Sequence, residues 1–174
     1  IMEKKYKALA LDLDGTLMDS NKKLSDVNKK AVWEAIDVGT AVILASGRPM
    51  FGVLPVARML ELDKRGGYVL AYNGGNILDC KTGKLVYERY VPKQCIEDIC
   101  IAARECDVAP LTYYKDKVIS ERADDEYVIK EAFCNSASIM QVDNIPEFVD
   151  YPVSKVLVVG EHKKLLPVKE KLEN

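Results

Sequence analysis

Three short apolar runs, each ended by a polar turn, constrain the fold of this chain more than any other feature of its sequence. They are YKALALDL at 6–13, TAVILAS at 40–46 and YVLAY at 68–72, and the turns are DGT, GRP and NGG. Continuous aliphatic and β-branched runs are typical of strands covered on both faces. Helical patterns separate the runs, so the β-α-β-α-β order predicts a parallel sheet with right-handed crossovers.

Both predicted helices have recognisable ends. Ser25 is the expected N-cap of the first helix and Gly39 its stop, and the second is expected to run from Pro49 to about Leu62. The apolar face of the first helix is predicted to contain Val27, Ala31, Trp33, Ile36 and Val38.

The pattern changes after the third run. NILD and KLVYERYV, joined by CKTG, predict a β-hairpin, and VPK predicts an exit from the first domain. We expect one domain over 1–91 and a second over 92–174. The second is predicted from helical segments IEDICIAARE and DDEYVIKEAF, a hairpin of LTYY and KVISE, a strand in SKVLVVG and a C-terminal helix. The predicted fold class is therefore α/β, a Rossmann-like parallel core with three strands present, followed by an α+β domain.

Charge and composition exclude several classes of function. The 174 residues include 25 Lys and Arg and 27 Asp and Glu. No surplus of positive charge is therefore present to attract nucleic acid, and no such partner is expected. The five cysteines form no CxxC pair and are expected to be free thiols. The single histidine, His162, lies in the charged stretch GEHKK, which predicts a solvated helix start and opposes a Ser-His-Asp mechanism.

The chain also lacks a membrane signal. No stretch reaches the roughly 18 apolar residues of a membrane span, and the N-terminus lacks the apolar core of a signal peptide. We therefore expect a cytoplasmic protein without a membrane partner.

Two carboxylates stand where the first apolar run ends. On an extended backbone, Asp12 and Asp14 point the same way, and the crevice at the carboxyl ends of parallel strands is where ligands bind. Gly15 permits a sharp turn, and the hydroxyl of Thr16 is expected to orient a carboxylate. One carboxylate suits attack on phosphorus and the other suits proton transfer. Asp12 with the main chain near Asp14 would form part of a Mg²⁺ site, although both acids also fit a structural turn.

The two later turns add polar groups at the same edge. Ser46 and Gly47 follow the second run, and Asn73 follows the third, so all three are candidates to bind phosphoryl oxygens. Each segment alone fits a local structural role better. Three polar turns after three successive strands, however, favour a phosphate site.

Together these residues resemble the haloacid dehalogenase superfamily, and in particular its Cof-type sugar-phosphatase branch. LDLDGTL resembles the first motif of the family, ILASGRP the second, and AYNGG the turn that leads to an inserted cap. The resemblance implies that Asp12 is the nucleophile and Asp14 the acid/base of an Mg²⁺-dependent phosphatase with an aspartyl-phosphate intermediate. It also implies that Ser46 binds phosphate and that 92–174 form an α+β cap.

The chain departs from the family pattern downstream. The family has a lysine ahead of a later helix and a GDxxND-type acidic loop, and the sequence offers only Lys155, Asp143 and Asp150 in unsuitable contexts. Without further strands, the first run would also form an apolar sheet edge. We therefore expect these 174 residues to be an incomplete form of a longer phosphatase.

Two alternatives remain open. A phosphomutase shares the first motif, and a non-catalytic module that binds a phosphate ligand would keep the fold without turnover. The substrate is expected to be a small phosphorylated metabolite, such as a sugar phosphate, selected by cap residues such as Tyr113, Tyr114, Lys115 or Arg122. The sequence does not indicate which of these four face a ligand, and it is silent on oligomeric state.

Overall fold

The computed structural model describes residues 6–173 and forms two compact units. The first unit ends at Arg89, and the second begins at Tyr90. Among the described helices, none is long and apolar enough to cross a membrane.

The first unit contains a five-stranded sheet in the order β1-β2-β3-β4-β5. Its strands are β1 (Ala8–Asp12), β2 (Ala41–Ala45), β3 (Tyr68–Ala71), β4 (Asn76–Asp79) and β5 (Lys84–Glu88). The first three are parallel, and the β4–β5 hairpin extends the sheet antiparallel to β3. The predicted α/β class, the three parallel strands and the hairpin are confirmed.

The helices of this unit follow the predicted order with two corrections. They are α1 (Asp26–Asp37), α2 (Met50–Met59) and α3 (Leu62–Arg65). Ser25 caps α1 as predicted, because its side chain accepts a hydrogen bond from the Asn28 amide. The prediction that Val27 faces the core is wrong, since it is 78% exposed, and Val32 is buried instead. The second helix also ends earlier than predicted, because Glu61 adopts a left-handed φ of 56°.

The core of the first unit lies between the sheet and its helices. Leu13, Leu44, Val53, Leu62 and Val69 are fully buried. Burial of each such side chain contributes about 1.5–3 kcal/mol, so this cluster holds the strand ends in place.

Within the described residues, β1 forms the outer strand of its sheet. Its face with Ala8 and Ala10 is exposed, whereas Leu9 and Leu11 are half-buried. An apolar cleft of about 550 Å³ runs along β1 and α1. This observation agrees with the expectation of an apolar sheet edge.

The second unit is an α+β domain. Its elements are α4 (Lys93–Glu105), β6 (Ala109–Tyr114), β7 (Lys117–Ser120), α5 (Glu126–Asn135), β8 (Ser138–Gln141), α6 (Ile145–Phe148), β9 (Leu157–Val159) and α7 (His162–Glu173). The sheet order is β8-β7-β6-β9, with β7 and β8 parallel and the other neighbours antiparallel. The sequence did not predict the four-residue elements β8 and α6, which are too short to show a period.

The four candidate selectivity residues have different environments in this unit. Tyr113 is buried and its hydroxyl donates to Glu131 at 2.7 Å, while the Tyr114 ring packs on Phe148 and Tyr151. Lys115 is exposed, whereas Arg122, like Tyr114, is half-buried. Arg122 forms an ion pair with Asp107 at 2.8 Å, and the Lys115 ammonium lies 5.2 Å from the centroid of the Tyr114 ring.

Candidate active site

The register of the parallel strands brings their carboxyl ends to one edge of the sheet. Asp12 of β1 pairs with Ala45 of β2, and Ala45 pairs with Leu70 of β3. Residues that follow these positions therefore emerge side by side. This edge is where ligands bind in open α/β sheets.

The turn after β1 is anchored by main-chain hydrogen bonds and by buried apolar side chains. The Leu17 amide donates to the Asp12 carbonyl at 3.1 Å, and the Met18 amide donates to the Leu13 carbonyl at 2.9 Å. Leu13, Leu17 and Met18 are all buried. Gly15 has a φ of +74°, a conformation that L residues rarely adopt. Asp12 and Asp14 are thus exposed to solvent on a turn whose apolar residues are fixed in the core.

A cleft of about 390 Å³ opens at this edge of the sheet. It is lined by Asp12, Ala45, Ser46, Gly47, Leu70, Asn73 and Gly74. Four of the five residues that the sequence selects, Asp12, Ser46, Gly47 and Asn73, therefore share one cleft. Asp14 is not part of its lining.

Main-chain hydrogen bonds join the turns after β2 and β3. The Ser46 amide donates to the Leu70 carbonyl at 2.9 Å, and the Asn73 amide donates to the Ser46 carbonyl at 3.1 Å. The Ser46 Oγ accepts a hydrogen bond from the Arg48 amide at 3.2 Å, which leaves its own proton available for donation. The two turns therefore form one polar wall.

The turn after β3 contains three successive residues with positive φ. Tyr72, Asn73 and Gly74 have φ values of 53°, 57° and 90°. Such a conformation costs on the order of 1–3 kcal/mol for a residue other than glycine and persists only where the surroundings enforce it. Partial burial of Tyr72 against the core, which raises the pKa of its phenol, supplies part of that constraint. The strained turn directs Asn73 towards Gly47, whose hypothetical Cβ would lie 3.2 Å from the Asn73 Nδ2.

The carboxylate of Asp14 is held by Arg48. The Arg48 Nε donates to Asp14 Oδ2 at 2.8 Å, and Nη2 donates to Oδ1 at 2.5 Å. This bidentate pair orients the Asp14 carboxylate, a role that the sequence had assigned to Thr16. Arg48 is a residue that sequence reasoning missed, although it stands in the ASGRP segment between the residues that were selected.

The donors at this edge suit a hard cation. The Asp12 carboxylate and the main-chain carbonyl of Asp14 offer oxygen atoms, and Mg²⁺ usually takes one or two protein carboxylates with water and phosphate oxygens. The Asp14 side chain, by contrast, already hydrogen-bonds Arg48 through both oxygens. Within residues 6–173 no group of three or more His, Cys, Asp or Glu side chains is arranged to hold a metal ion.

Comparison with known proteins establishes the family. The model of the haloacid dehalogenase-like hydrolases matches residues 9–174, and the chain belongs to this family. A haloacid dehalogenase-like hydrolase from Bacteroides thetaiotaomicron superposes with a TM-score of 0.89 at 37% identity, over 97% of this chain and 63% of that one. The HAD subclass IIB sugar phosphatase BT4131 shares the fold, with a TM-score of 0.77 at 15% identity, over 96% of this chain and 64% of that one.

One relative by sequence is named for phosphatase activity. An HMP-PP phosphatase of Yersinia pestis (strain Pestoides F) is 23% identical over 97% of this chain and 59% of its own length. The chain thus spans about three fifths of the length of these three relatives.

Proposed function

We propose that this chain carries the nucleophile half of an Mg²⁺-dependent phosphatase that hydrolyses small phosphorylated metabolites, such as sugar phosphates. One observation carries the proposal: Asp12, Ser46, Gly47 and Asn73 line a single cleft at the carboxyl ends of three parallel strands. Membership of the hydrolase family and the phosphatase names of relatives support it. In this proposal, residues 1–91 are the N-terminal part of the catalytic core and 92–174 are a cap domain.

The chemistry proceeds in two steps on Asp12. Its carboxylate attacks phosphorus, a bond forms from the carboxylate oxygen to phosphorus, and the bond to the leaving oxygen breaks. Asp14 donates a proton to the leaving oxygen and then accepts one from the water that attacks the aspartyl-phosphate. Inorganic phosphate departs and the Asp12 carboxylate is restored.

The polar wall of the cleft stabilises the charge that develops on the phosphoryl oxygens. In the proposed complex, the Ser46 hydroxyl, the Gly47 amide and the Asn73 side-chain amide donate to these oxygens. Magnesium would be held by the Asp12 carboxylate and by Asp14 through its main-chain carbonyl. When bound, it supplies positive charge next to the transferring group.

Hydrolysis of p-nitrophenyl phosphate, with and without Mg²⁺, tests the proposal on the longest polypeptide that the gene encodes. The Asp12→Asn substitution should lower turnover about a thousandfold or more, because the nucleophile is lost and the charge that would hold Mg²⁺ is reduced, while phosphate still binds to the polar wall of the cleft. Asp37→Asn is the matched control, since Asp37 is exposed at the end of α1 and pairs with Arg65. Equal activity of the wild type and the Asp12→Asn variant would rule out the aspartyl-phosphate route.

A non-catalytic phosphate-binding module is the second candidate, because the residues that line the cleft and would hold phosphate do not include Asp14. Such a module would bind inorganic phosphate without turning over any ester, and Asp12→Asn would leave that affinity intact. A phosphomutase would instead require a bisphosphate activator, and isomerisation of a sugar monophosphate measured with and without a sugar bisphosphate detects it.

A further inference from the structure

Arg48 has an unusually constrained position at the edge of the cleft. Its side chain is only 14% exposed, although that of Asp14, its partner, is 50% exposed. Its amide donates to the Ser46 Oγ at 3.2 Å, and its carbonyl accepts from the Tyr72 amide at 2.9 Å. These two bonds anchor the main chain of Arg48 independently of its contact with Asp14, and the low exposure of its side chain restricts the guanidinium.

The bidentate contact transfers this rigidity to Asp14. A guanidinium fork makes two parallel hydrogen bonds to a carboxylate, which fixes the plane of the acceptor as well as its distance. The bidentate geometry and the low exposure of Arg48 also distinguish this pair from ordinary surface ion pairs, although Asp14 is half exposed. A half-exposed carboxylate on a turn would otherwise sample several side-chain rotamers.

The contact does not use up the proton-carrying capacity of Asp14. A carboxylate offers about four lone-pair sites, and the two N–H donors of Arg48 occupy one on each oxygen. The remaining sites are available to carry a proton to and from a reacting group. Arg48 thus restricts the direction of transfer without preventing it.

We propose that Arg48 is a positioning residue that orients the Asp14 carboxyl towards the leaving oxygen. This inference rests on the proposed phosphatase function. Its consequence concerns the leaving group: an alkoxide from a sugar phosphate must be protonated as it departs, whereas p-nitrophenolate leaves without that help. The contribution of Arg48 therefore grows as the leaving group becomes poorer.

The test compares kcat and KM on p-nitrophenyl phosphate and on a hexose 6-phosphate, with the longest polypeptide that the gene encodes. Arg48→Lys keeps the charge but cannot make the bidentate contact. We expect kcat on the hexose phosphate to fall about 10- to 100-fold more than kcat on the aryl phosphate, with KM for either substrate changing less than about threefold. Both substrates are measured with the same preparation of the variant, which has one folded fraction. The ratio of the two kcat values is therefore independent of partial unfolding.

Two controls separate positioning from general structural support. The relevant ratio is kcat on the hexose phosphate divided by kcat on the aryl phosphate. Arg65 also lies in the first unit and pairs with Asp37, so Arg65→Lys is the matched substitution and should leave this ratio unchanged. In the Asp14→Asn background, Arg48→Lys should produce no further change in that ratio, because Arg48 acts through Asp14.

The outcomes are distinguishable. Equal losses on both substrates, or a ratio that falls again when Arg48→Lys is added to Asp14→Asn, would overturn the positioning role while leaving the phosphatase intact. A wild-type protein without Mg²⁺-dependent turnover on either ester would overturn the proposed function, and the positioning role with it.

Discussion

At the scale of single residues, Gly47 and Asn73 lie close together in the cleft. A Cβ on residue 47 would lie 3.2 Å from the Asn73 Nδ2 and 3.3 Å from its Oδ1, which is tighter than ordinary van der Waals contact. Gly47 does not have the left-handed φ that requires glycine. Absence of a side chain, rather than backbone conformation, is therefore what this position needs.

Gly47→Ala should consequently displace the Asn73 side chain without straining the backbone. We expect KM for a phosphate ester to rise up to about tenfold, equivalent to the loss of one hydrogen bond of about 0.5–1.5 kcal/mol. The melting temperature should change little. Steady-state kinetics and a thermal melt of the variant measure the two effects.

Gly83→Ala is the control for backbone strain. Gly83 lies in the β4–β5 turn with a φ of +67° and open space around its Cβ position, so alanine there should reduce stability by about 1 kcal/mol and leave KM unchanged. An unchanged KM in Gly47→Ala would show that Asn73 does not contact the phosphoryl group.

At the scale of elements, the α1 face shows what a period of 3.6 residues can and cannot predict. The sequence predicted the helix and its Ser25 cap, because capping chemistry acts within one turn. It placed Val27 on the buried face, although Val27 is exposed and Val32 is buried. Several apolar residues share the helix surface, and only the neighbouring sheet decides which of them meets the core.

One carboxylate in the second unit joins three of its elements. Glu121, which follows β7, accepts two hydrogen bonds from Arg104 of α4, at 2.8 and 2.6 Å, and one from the Ile145 amide of α6 at 2.9 Å. Burial raises the pKa of Glu121, but these hydrogen bonds outweigh it, so the net pKa is lowered. The three bonds hold α4 and α6 against the end of β7.

The lowered pKa sets the sign of a pH effect on stability. The ionised form of Glu121 stabilises the fold above its ordinary pKa of 4.5, and this contribution is lost as pH falls through the lower value of the folded state. Glu121→Gln should therefore reduce the free energy of unfolding by about 1–3 kcal/mol at pH 7. It should also make this free energy depend less on pH below the ordinary glutamate pKa of 4.5. Urea unfolding at several pH values measures both.

Glu105→Gln provides the comparison. Glu105 pairs with Lys171 at 2.7 Å, and both side chains are about half exposed, so its removal should cost less than about 1 kcal/mol. A Glu121→Gln variant with the same acid sensitivity as the wild type would exclude Glu121 as the source of that sensitivity.

At the scale of the whole molecule, the share of the relatives that this chain covers bears on its activity. The chain spans 59% of the Yersinia pestis relative and 63% of the Bacteroides thetaiotaomicron structure. Phosphoryl transfer requires positive charge around the transferring group as well as a nucleophile. At the edge of the cleft, the guanidinium of Arg48 already pairs with the Asp14 carboxylate.

We therefore predict that the 174-residue polypeptide and the longest form encoded by the gene differ in activity. Mg²⁺-dependent hydrolysis of p-nitrophenyl phosphate is expected from the longer form, at least about a hundredfold faster than from the shorter one. Circular dichroism of both forms serves as the control for folding. Comparable turnover by the two would mean that these 174 residues contain a complete catalytic set.

Much of the fold could be predicted because its signals are local. Apolar runs and glycine turns specify the three parallel strands and the β4–β5 hairpin, and the polar residues at the strand ends identified four residues that line the cleft. The short elements β8 and α6 were missed because they form through pairing and packing with distant residues. Local propensity over four residues is too weak to predict such elements.

The sequence by itself determined the order of elements and the polar turns at the strand ends, because hydrophobic period and turn chemistry act over a few neighbouring residues. Only the tertiary structure decided that Arg48 holds Asp14, a pair separated by 34 positions, and that Asn73 packs on Gly47. Such contacts depend on the register and spacing of adjacent strands. No local pattern encodes that alignment, because it arises when the whole core of the first unit packs.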